Sequence, residues 1–140
     1  MILEVRDRAS TAVALRELAS LVSGLLFVSE ADHPLVVVRL GVAMDSELPS
    51  ILPAAASRVG AEVQCVPLGA FFERATEPQP YHTGADRIVV ERYRALVQFL
   101  ANELANARVF RLGAIEVDVY AIGQSLEGEW LGVATKLIET

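Results

Sequence analysis

Few side chains in this sequence are of a type that could carry out catalysis or bind a metal. The chain has two histidines, His33 and His82, and a single cysteine, Cys65. A structural metal site requires about four ligands at close spacing, and no Cys, Asp or Glu stands at that spacing from either histidine. We therefore predict that both histidines are solvent-exposed loop residues and that the chain uses no metal, nucleotide or other cofactor.

The best candidate for acid–base chemistry is the cluster of Glu30, Asp32 and His33. Proton transfer requires these groups to converge on a substrate, and the sequence gives no sign of that convergence. Glu116 and Asp118 alternate along a predicted strand and so share a face, as two catalytic carboxylates would. Because valines alternate with them, a solvated polar face is the simpler interpretation. Motifs for phosphate binding and nucleophilic catalysis are lacking too, so the sequence argues against an enzyme.

The chain has the size and composition of one globular domain. It contains 140 residues, of which 53% are hydrophobic and 21% charged, and a chain of this length can remove about two-thirds of its unfolded surface from water. Its formal net charge of −6 repels the phosphates of nucleic acids and suits a protein partner with a basic cleft. We therefore expect a single domain over residues 1–140 that binds another protein and does not bind nucleic acid directly.

The sequence also favours a cytoplasmic location. Cys65 has no second cysteine to pair with and lies in the apolar run Val63–Val66, which predicts a buried, unreactive thiol. Glu4, Arg6 and Asp7 precede any apolar stretch, which argues against a secretory signal. No run approaches the length of about 20 apolar residues that is needed to cross a bilayer. We expect a cytoplasmic protein with no membrane contact.

Two long segments have apolar residues at helical spacing and recognisable caps. Ser10 or Thr11 can cap the first, which Gly24 terminates, and Thr83 with Asp86 resembles a capping pair for the last. The predicted helical segments are a first helix from the Ser10 or Thr11 cap to about Val22, Ser46–Val59 (interrupted by Pro53), a short turn at Leu68–Ala75, and Asp86–Ala105.

Strand patterns occupy most of the remaining chain. The β-branched run Leu35–Leu40 is typical of a buried strand, whereas Ser29–Pro34 and Thr76–Gly84 are predicted loops. The last three strands are joined by short connections, which predicts an antiparallel meander. Since helices and strands do not alternate regularly, an α+β sandwich is favoured. The predicted strands are Leu35–Leu40, Ala61–Pro67, Arg108–Leu112, Ile115–Ile122 and Trp130 to about Glu139.

The end of the chain places several oxygen groups together. The strand pattern continues to Ile138, and Glu139 and Thr140 follow at once. A carboxylate, a hydroxyl and the terminal carboxylate would then lie at the end of a rigid element. The simpler interpretation of this pattern alone is a chain that merely ends in a strand.

Five segments of the sequence resemble the nuclease A inhibitors of cyanobacteria and related bacteria. They agree with that family in order, spacing and terminus, and they cover most of the chain except about residues 36–68. The segments are LLFVSE at 25–30, FFERATEPQ at 71–79, RVFRLG at 108–113, IEVDVYAIG at 115–123 and GVATKLIET at 132–140.

The resemblance implies both a fold and a mechanism. The fold would be a three-layer α/β/α sandwich with a mainly antiparallel central sheet, a variant of the fold of plant pathogenesis-related proteins. The function would be inhibition of a non-specific, Mg²⁺-dependent sugar nuclease of the ββα-metal type. Glu30 matches a glutamate that takes the place of the scissile phosphate, and Thr140 matches a C-terminal threonine whose hydroxyl binds the metal ion of the nuclease.

One departure from the family pattern affects partner choice. The family has an Asp-Trp pair after the Pro-Gln, and this chain has Pro80 and Tyr81 instead. The aromatic character is kept and the acid is lost. The resemblance therefore implies that Pro80 and Tyr81 form a second nuclease contact with an altered preference. The alternative is a non-enzymatic protein-binding module of the same fold with a different partner, and an enzyme built on Glu30, Asp32 and His33 is a more distant one.

Overall fold

The computed structural model describes residues 8–139. Thr140 and the charged residues Glu4, Arg6 and Asp7 lie outside this range, so the interpretations that depend on them stay predictions. The described elements are, in chain order, α1 Thr11–Val22, β1 Leu26–Val28, β2 Asp32–Pro34, β3 Val36–Val42, a 3-10 turn Asp45–Glu47, α2 Leu48–Ala55, β4 Val63–Val66, α3 Leu68–Phe71, a 3-10 turn Arg74–Thr76, α4 Gly84–Glu103, β5 Ala105–Leu112, β6 Glu116–Gln124 and β7 Glu129–Ile138.

Five of these strands form one antiparallel sheet, and β1 and β2 form a separate hairpin. The order across the sheet is β3-β7-β6-β5-β4. The predicted meander of β5, β6 and β7 is confirmed, with Val119 of β6 paired to Arg111 on one side and to Thr135 on the other. The fold is therefore mixed α+β, as the sequence pattern predicted.

Helices pack on both faces of this sheet. Leu18 of α1 and Leu96 and Leu100 of α4 are fully buried in one apolar cluster, which includes Val109 and Val119 of the sheet. Leu48 and Leu52 of α2 are buried in a second cluster against Phe110, Tyr120 and Trp130. No helix within residues 8–139 is long and apolar enough to cross a membrane. The two clusters together give the central strands β6 and β7 their nearly continuous burial.

The predicted caps explain where the two long helices begin. The Ser10 hydroxyl accepts a hydrogen bond from the Val13 N–H at 3.2 Å. The Thr83 hydroxyl accepts from the Asp86 N–H, and the Asp86 carboxylate accepts from the Thr83 N–H at 2.9 Å. Each cap satisfies backbone donors that the first helical turn leaves unpaired.

The second predicted helix was too long. A 3-10 turn precedes α2, and the helix ends at Ala55. The sequence pattern suggested an end at Val59. Pro53 has no N–H to donate, and Ser57 takes a left-handed φ of 56°. A non-glycine residue in that conformation cannot continue a right-handed helix.

The prediction of a buried strand at Leu35–Leu40 was right for Leu35, which is buried just before β3, and wrong for the strand itself. The strand β3 pairs only with β7, so it is an edge strand, and none of its residues is buried. Cys65 was also wrongly predicted to be buried, since it is exposed on β4, the opposite edge strand. Its partner Phe110 faces the cluster under α2, but β4 has a neighbouring strand on one side only, and Cys65 is exposed there.

Candidate functional site

The turn between β1 and β2 is attached to the end of β7. The Ile138 N–H donates a hydrogen bond to the Ser29 hydroxyl at 3.1 Å, and the Glu30 N–H donates to the Ile138 carbonyl at 3.5 Å. The Ser29 hydroxyl in turn donates to the Ala31 carbonyl at 2.9 Å, which closes the turn. Glu30, which is exposed, therefore projects from a turn that lies beside the strand leading to Thr140.

An aromatic cluster holds the other side of this hairpin. The Phe27 ring stacks on Phe71 with centroids 5.2 Å apart and meets Phe72 and Tyr93 edge-on at 6.0 and 6.1 Å. The Tyr93 hydroxyl donates to the Leu26 carbonyl at 2.5 Å. Burial raises the pKa of Tyr93 well above its ordinary range, so the hydroxyl keeps the proton that it donates. The hairpin is thus fixed to α3 and α4 as well as to β7.

His33 belongs to this hairpin and not to a loop, which corrects the prediction from sequence. It lies in β2 opposite Phe27 and is partly buried. Its Nδ1 is buried and has no hydrogen-bond partner within residues 8–139. Asp32 is exposed and adjacent to His33 in the strand, so the two side chains point to opposite faces of the hairpin. They do not converge as an acid–base pair would.

The end of β7 is held by contacts of Glu139. Its N–H donates to the Ile115 carbonyl at 2.8 Å. Its carboxylate accepts a hydrogen bond from Nη2 of Arg111 on β5 at 2.5 Å. The described chain therefore ends in an anchored residue one peptide bond before Thr140, whose own placement lies outside the described residues.

Pro80 and Tyr81 lie on the loop that precedes α4. Both are exposed, Tyr81 to 74% of its surface. His82 shapes this loop, since its Nδ1 accepts from the Gln79 N–H at 3.0 Å and its own N–H donates to the Gln79 carbonyl at 3.0 Å. His82 is thus partly buried, contrary to the prediction that it is a solvent-exposed loop residue.

A cleft separates this loop from the first turns of α4. It has a volume of about 440 Å³ and is lined by Pro78, Gln79, Pro80, Arg87, Val90 and Glu91. The loop is a separate element from the Glu30 turn, and α4 connects the two. Tyr93, which bonds to β1, lies nine residues after the helix start at Gly84, about 14 Å along the axis.

The two carboxylates of β6 that could have formed a catalytic pair each form an ion pair with a basic side chain. Glu116 lies 3.7 Å from Lys136, and Asp118 lies 3.4 Å from Arg58. The side chain of Asp118 is only 15% exposed, so the predicted solvated face is solvated at Glu116 and largely covered at Asp118. No group of three or more His, Cys, Asp or Glu residues that could hold a metal ion occurs in the described part of the chain.

Two residues that bond these segments together, Ser29 and Arg111, were not identified from the sequence. A serine before an acidic residue in a turn is a weak signal of a side-chain bond to the backbone. Nothing local indicates that the bond partner of Ser29 is Ile138, 109 residues away. The partner of Arg111 is similarly distant, since Glu139 lies 28 residues further along the chain.

Comparison with known proteins places the chain beside one family. Residues 12–140 match the model of a family described as nuclease A inhibitor-like protein. No curated protein matches the chain. The matched range includes the hairpin, the loop before α4 and the end of β7.

Proposed function

The chain belongs to the family of nuclease A inhibitor-like proteins, and from this membership we propose that it inhibits a Mg²⁺-dependent nuclease by occupying its active site. The family is one of non-enzymatic nuclease inhibitors, and membership implies a nuclease A-type partner. The proposal adds the class of partner, a non-specific ββα-metal nuclease, and the residues that enter its site.

The observation that carries this proposal is the attachment of the Glu30 turn to β7. The bonds of Ser29 and Glu30 to Ile138 put an exposed carboxylate beside the strand that leads to Thr140. A carboxylate can satisfy the basic groups that normally hold a scissile phosphate, and it offers no phosphodiester bond to cleave. A hydroxyl is an acceptable ligand for Mg²⁺, which prefers oxygen and exchanges its waters. The metal belongs to the nuclease, so this chain performs no chemistry.

The net charge of −6 supports the same partner. An enzyme that binds DNA presents a positively charged cleft, and complementary charge speeds the encounter of two proteins. The helices that pack on both faces of the sheet also support the proposed three-layer α/β/α sandwich, a variant of the pathogenesis-related-protein fold.

The test is a titration of a purified ββα-metal nuclease with the wild-type chain and with Glu30→Ala. Removing a carboxylate matched to desolvated basic groups should weaken binding by about 2–5 kcal/mol. The matched control is Glu17→Ala, which removes an exposed carboxylate from α1 and should inhibit like the wild type. Equal inhibition by both variants would overturn the role of Glu30.

A second candidate is a binding module that recognises a different basic protein. It is favoured by Pro80, which stands where the family has an acid, next to an aromatic ring that is 74% exposed. A wild-type chain that neither binds nor inhibits ββα-metal nucleases would support this second candidate.

A further inference from the structure

Arg111 is a cation on the sheet face that carries the buried valines Val109 and Val119. Val109 lies two residues before Arg111 on the same face of β5, and Val119 on β6 is the register partner of Arg111. Both valines are buried in the core. The Arg111 side chain is 24% exposed. Its Nη2 donates to Glu139 at 2.5 Å, while its buried Nε has no hydrogen-bond partner within residues 8–139.

Stability alone does not explain an arginine at this position. A buried donor without a partner is destabilising, and an ion pair with a carboxylate that is 46% exposed contributes little because water screens it. An aliphatic residue would bury better against the two valines. The arginine is therefore better explained by the carboxylate of Glu139, which its charge holds in place.

The residues around Arg111 favour an ion pair with Glu139 at the end of β7 over the binding of a separate anion. A cleft of about 340 Å³ lies next to it, lined by Glu62, Gln64, Arg111, Gly113, Ala114 and Glu139. Two carboxylates beside one guanidinium leave the cleft with negative charge, which is unsuited to a free anion. Glu139 is the acid that Arg111 contacts.

We propose that Arg111 is a positioning residue that fixes the end of β7 through Glu139 and thereby sets the reach of Thr140 towards the metal ion of the partner. This inference rests on the proposed function. Two contacts hold Glu139: the ion pair with Arg111 on β5 and the backbone bond to Ile115 in the turn between β5 and β6. The Cα atoms of consecutive residues are only about 3.8 Å apart, so holding residue 139 confines residue 140. A hydroxyl that must meet a metal ion gains from such confinement, because less freedom is lost on binding.

The test measures binding of a ββα-metal nuclease to Arg111→Gln and Glu139→Gln, with Mg²⁺ and with chelator. Residues that orient a metal ligand typically change affinity by about 10- to 100-fold, so we expect a loss of that size with Mg²⁺ and little change without it. Glu139→Gln is a surface change that does not threaten the fold. The control Arg39→Gln breaks another ion pair of β7, with Glu129, and should leave both affinities unchanged. An equal loss with and without Mg²⁺, or a loss no larger than the control's, would overturn the inference.

A measurement on the free protein separates this inference from the proposed function. In ¹⁵N relaxation experiments the amide of Thr140 should become more mobile in Arg111→Gln and Glu139→Gln, and the charge exchange Arg111→Glu with Glu139→Arg should restore part of the order. Unchanged relaxation in both single variants would overturn the anchoring. Increased mobility in a chain that binds no nuclease would support the anchoring and overturn the proposed function instead.

Discussion

The hydroxyl of Ser29 accepts a hydrogen bond from the backbone N–H of Ile138 at 3.1 Å, which joins segments 109 residues apart. The same hydroxyl donates to Ala31, so one side chain both closes the hairpin turn and ties it to the sheet. The position of Glu30 relative to the end of β7 depends on this residue.

Ser29→Ala should therefore weaken both the fold and the inhibition. It leaves the Ile138 N–H without its acceptor, which costs about 1–3 kcal/mol for a fully buried group and less for this part-buried bond. Urea unfolding would measure this loss, and nuclease titration would measure the accompanying loss of inhibition. Ser20→Ala is the control, because Ser20 is exposed on α1 and should leave both measurements unchanged or the protein slightly more stable. An unaffected inhibition constant in a destabilised Ser29→Ala would show that the turn and β7 act independently.

The hydroxyl of Thr140 should contribute only when the metal is present. We expect Thr140→Ser, which keeps the oxygen, to inhibit better than Thr140→Val, which keeps the shape and loses the ligand. Deleting Thr140 or adding a short C-terminal tag should weaken inhibition in the same way. Binding measured with and without Mg²⁺ checks this, since chelation should weaken the wild-type complex and leave Thr140→Val nearly unchanged. Full inhibition by a C-terminally tagged chain would contradict the metal contact.

Tyr81 should act as a second, independent anchor. Its ring is 74% exposed in the free protein, and truncation of a buried aromatic anchor in an interface commonly costs about 2 kcal/mol or more. Tyr81→Ala should therefore speed dissociation of the nuclease complex in stopped-flow or surface-binding measurements. The control Val59→Ala truncates a side chain that is 89% exposed on another loop. Identical dissociation rates for the two variants would remove the loop from the interface.

Replacing Pro80 should test the charge that this loop lacks. Pro80→Asp restores an acid at the position where the family has one, and we expect faster association at low salt if the facing nuclease surface is basic. The gain should vanish as ionic strength rises, because the interaction is screened. Association rates over a series of salt concentrations measure the effect. Slower association at low salt would indicate an acidic surface on the partner.

The stability of the fold should fall in acid in a way that depends on Glu127. Its carboxylate accepts from the Thr11 N–H at 2.7 Å, and that bond, first among several, holds the pKa of Glu127 below its ordinary value of 4.5. Since the folded pKa is the lower one, the stabilisation is present above pH 4.5 and is lost as the pH falls through the folded pKa. Urea unfolding at neutral and acidic pH should show a smaller acid loss for Glu127→Gln than for the wild type. Glu17→Gln, on an exposed face of α1, should keep the wild-type dependence.

Elements whose signals are local could be predicted from the sequence. The Ser10 and Thr83 caps lie within three residues of the groups that they bond, so the starts of α1 and α4 could be predicted closely. Short connections made β5, β6 and β7 an antiparallel meander, because a chain that turns within a few residues can only return alongside itself. The segments shared with the inhibitor family pointed to Glu30, Pro80, Tyr81 and Thr140 through residue type and order alone.

The neighbours of each strand and side chain depend on the tertiary structure. Leu35–Leu40 and the Cys65 strand have the composition of buried strands, but β3 and β4 are only half-buried because the sheet order places them at its two edges. Burial depends on how many neighbours a strand acquires, and a run of apolar residues does not contain that information. The bonds from Ser29 to Ile138 and from Arg111 to Glu139 likewise arise from the pairing of distant segments. The family resemblance therefore pointed to the proposed site residues, and the folded sheet decided how the Glu30 turn and Glu139 are held.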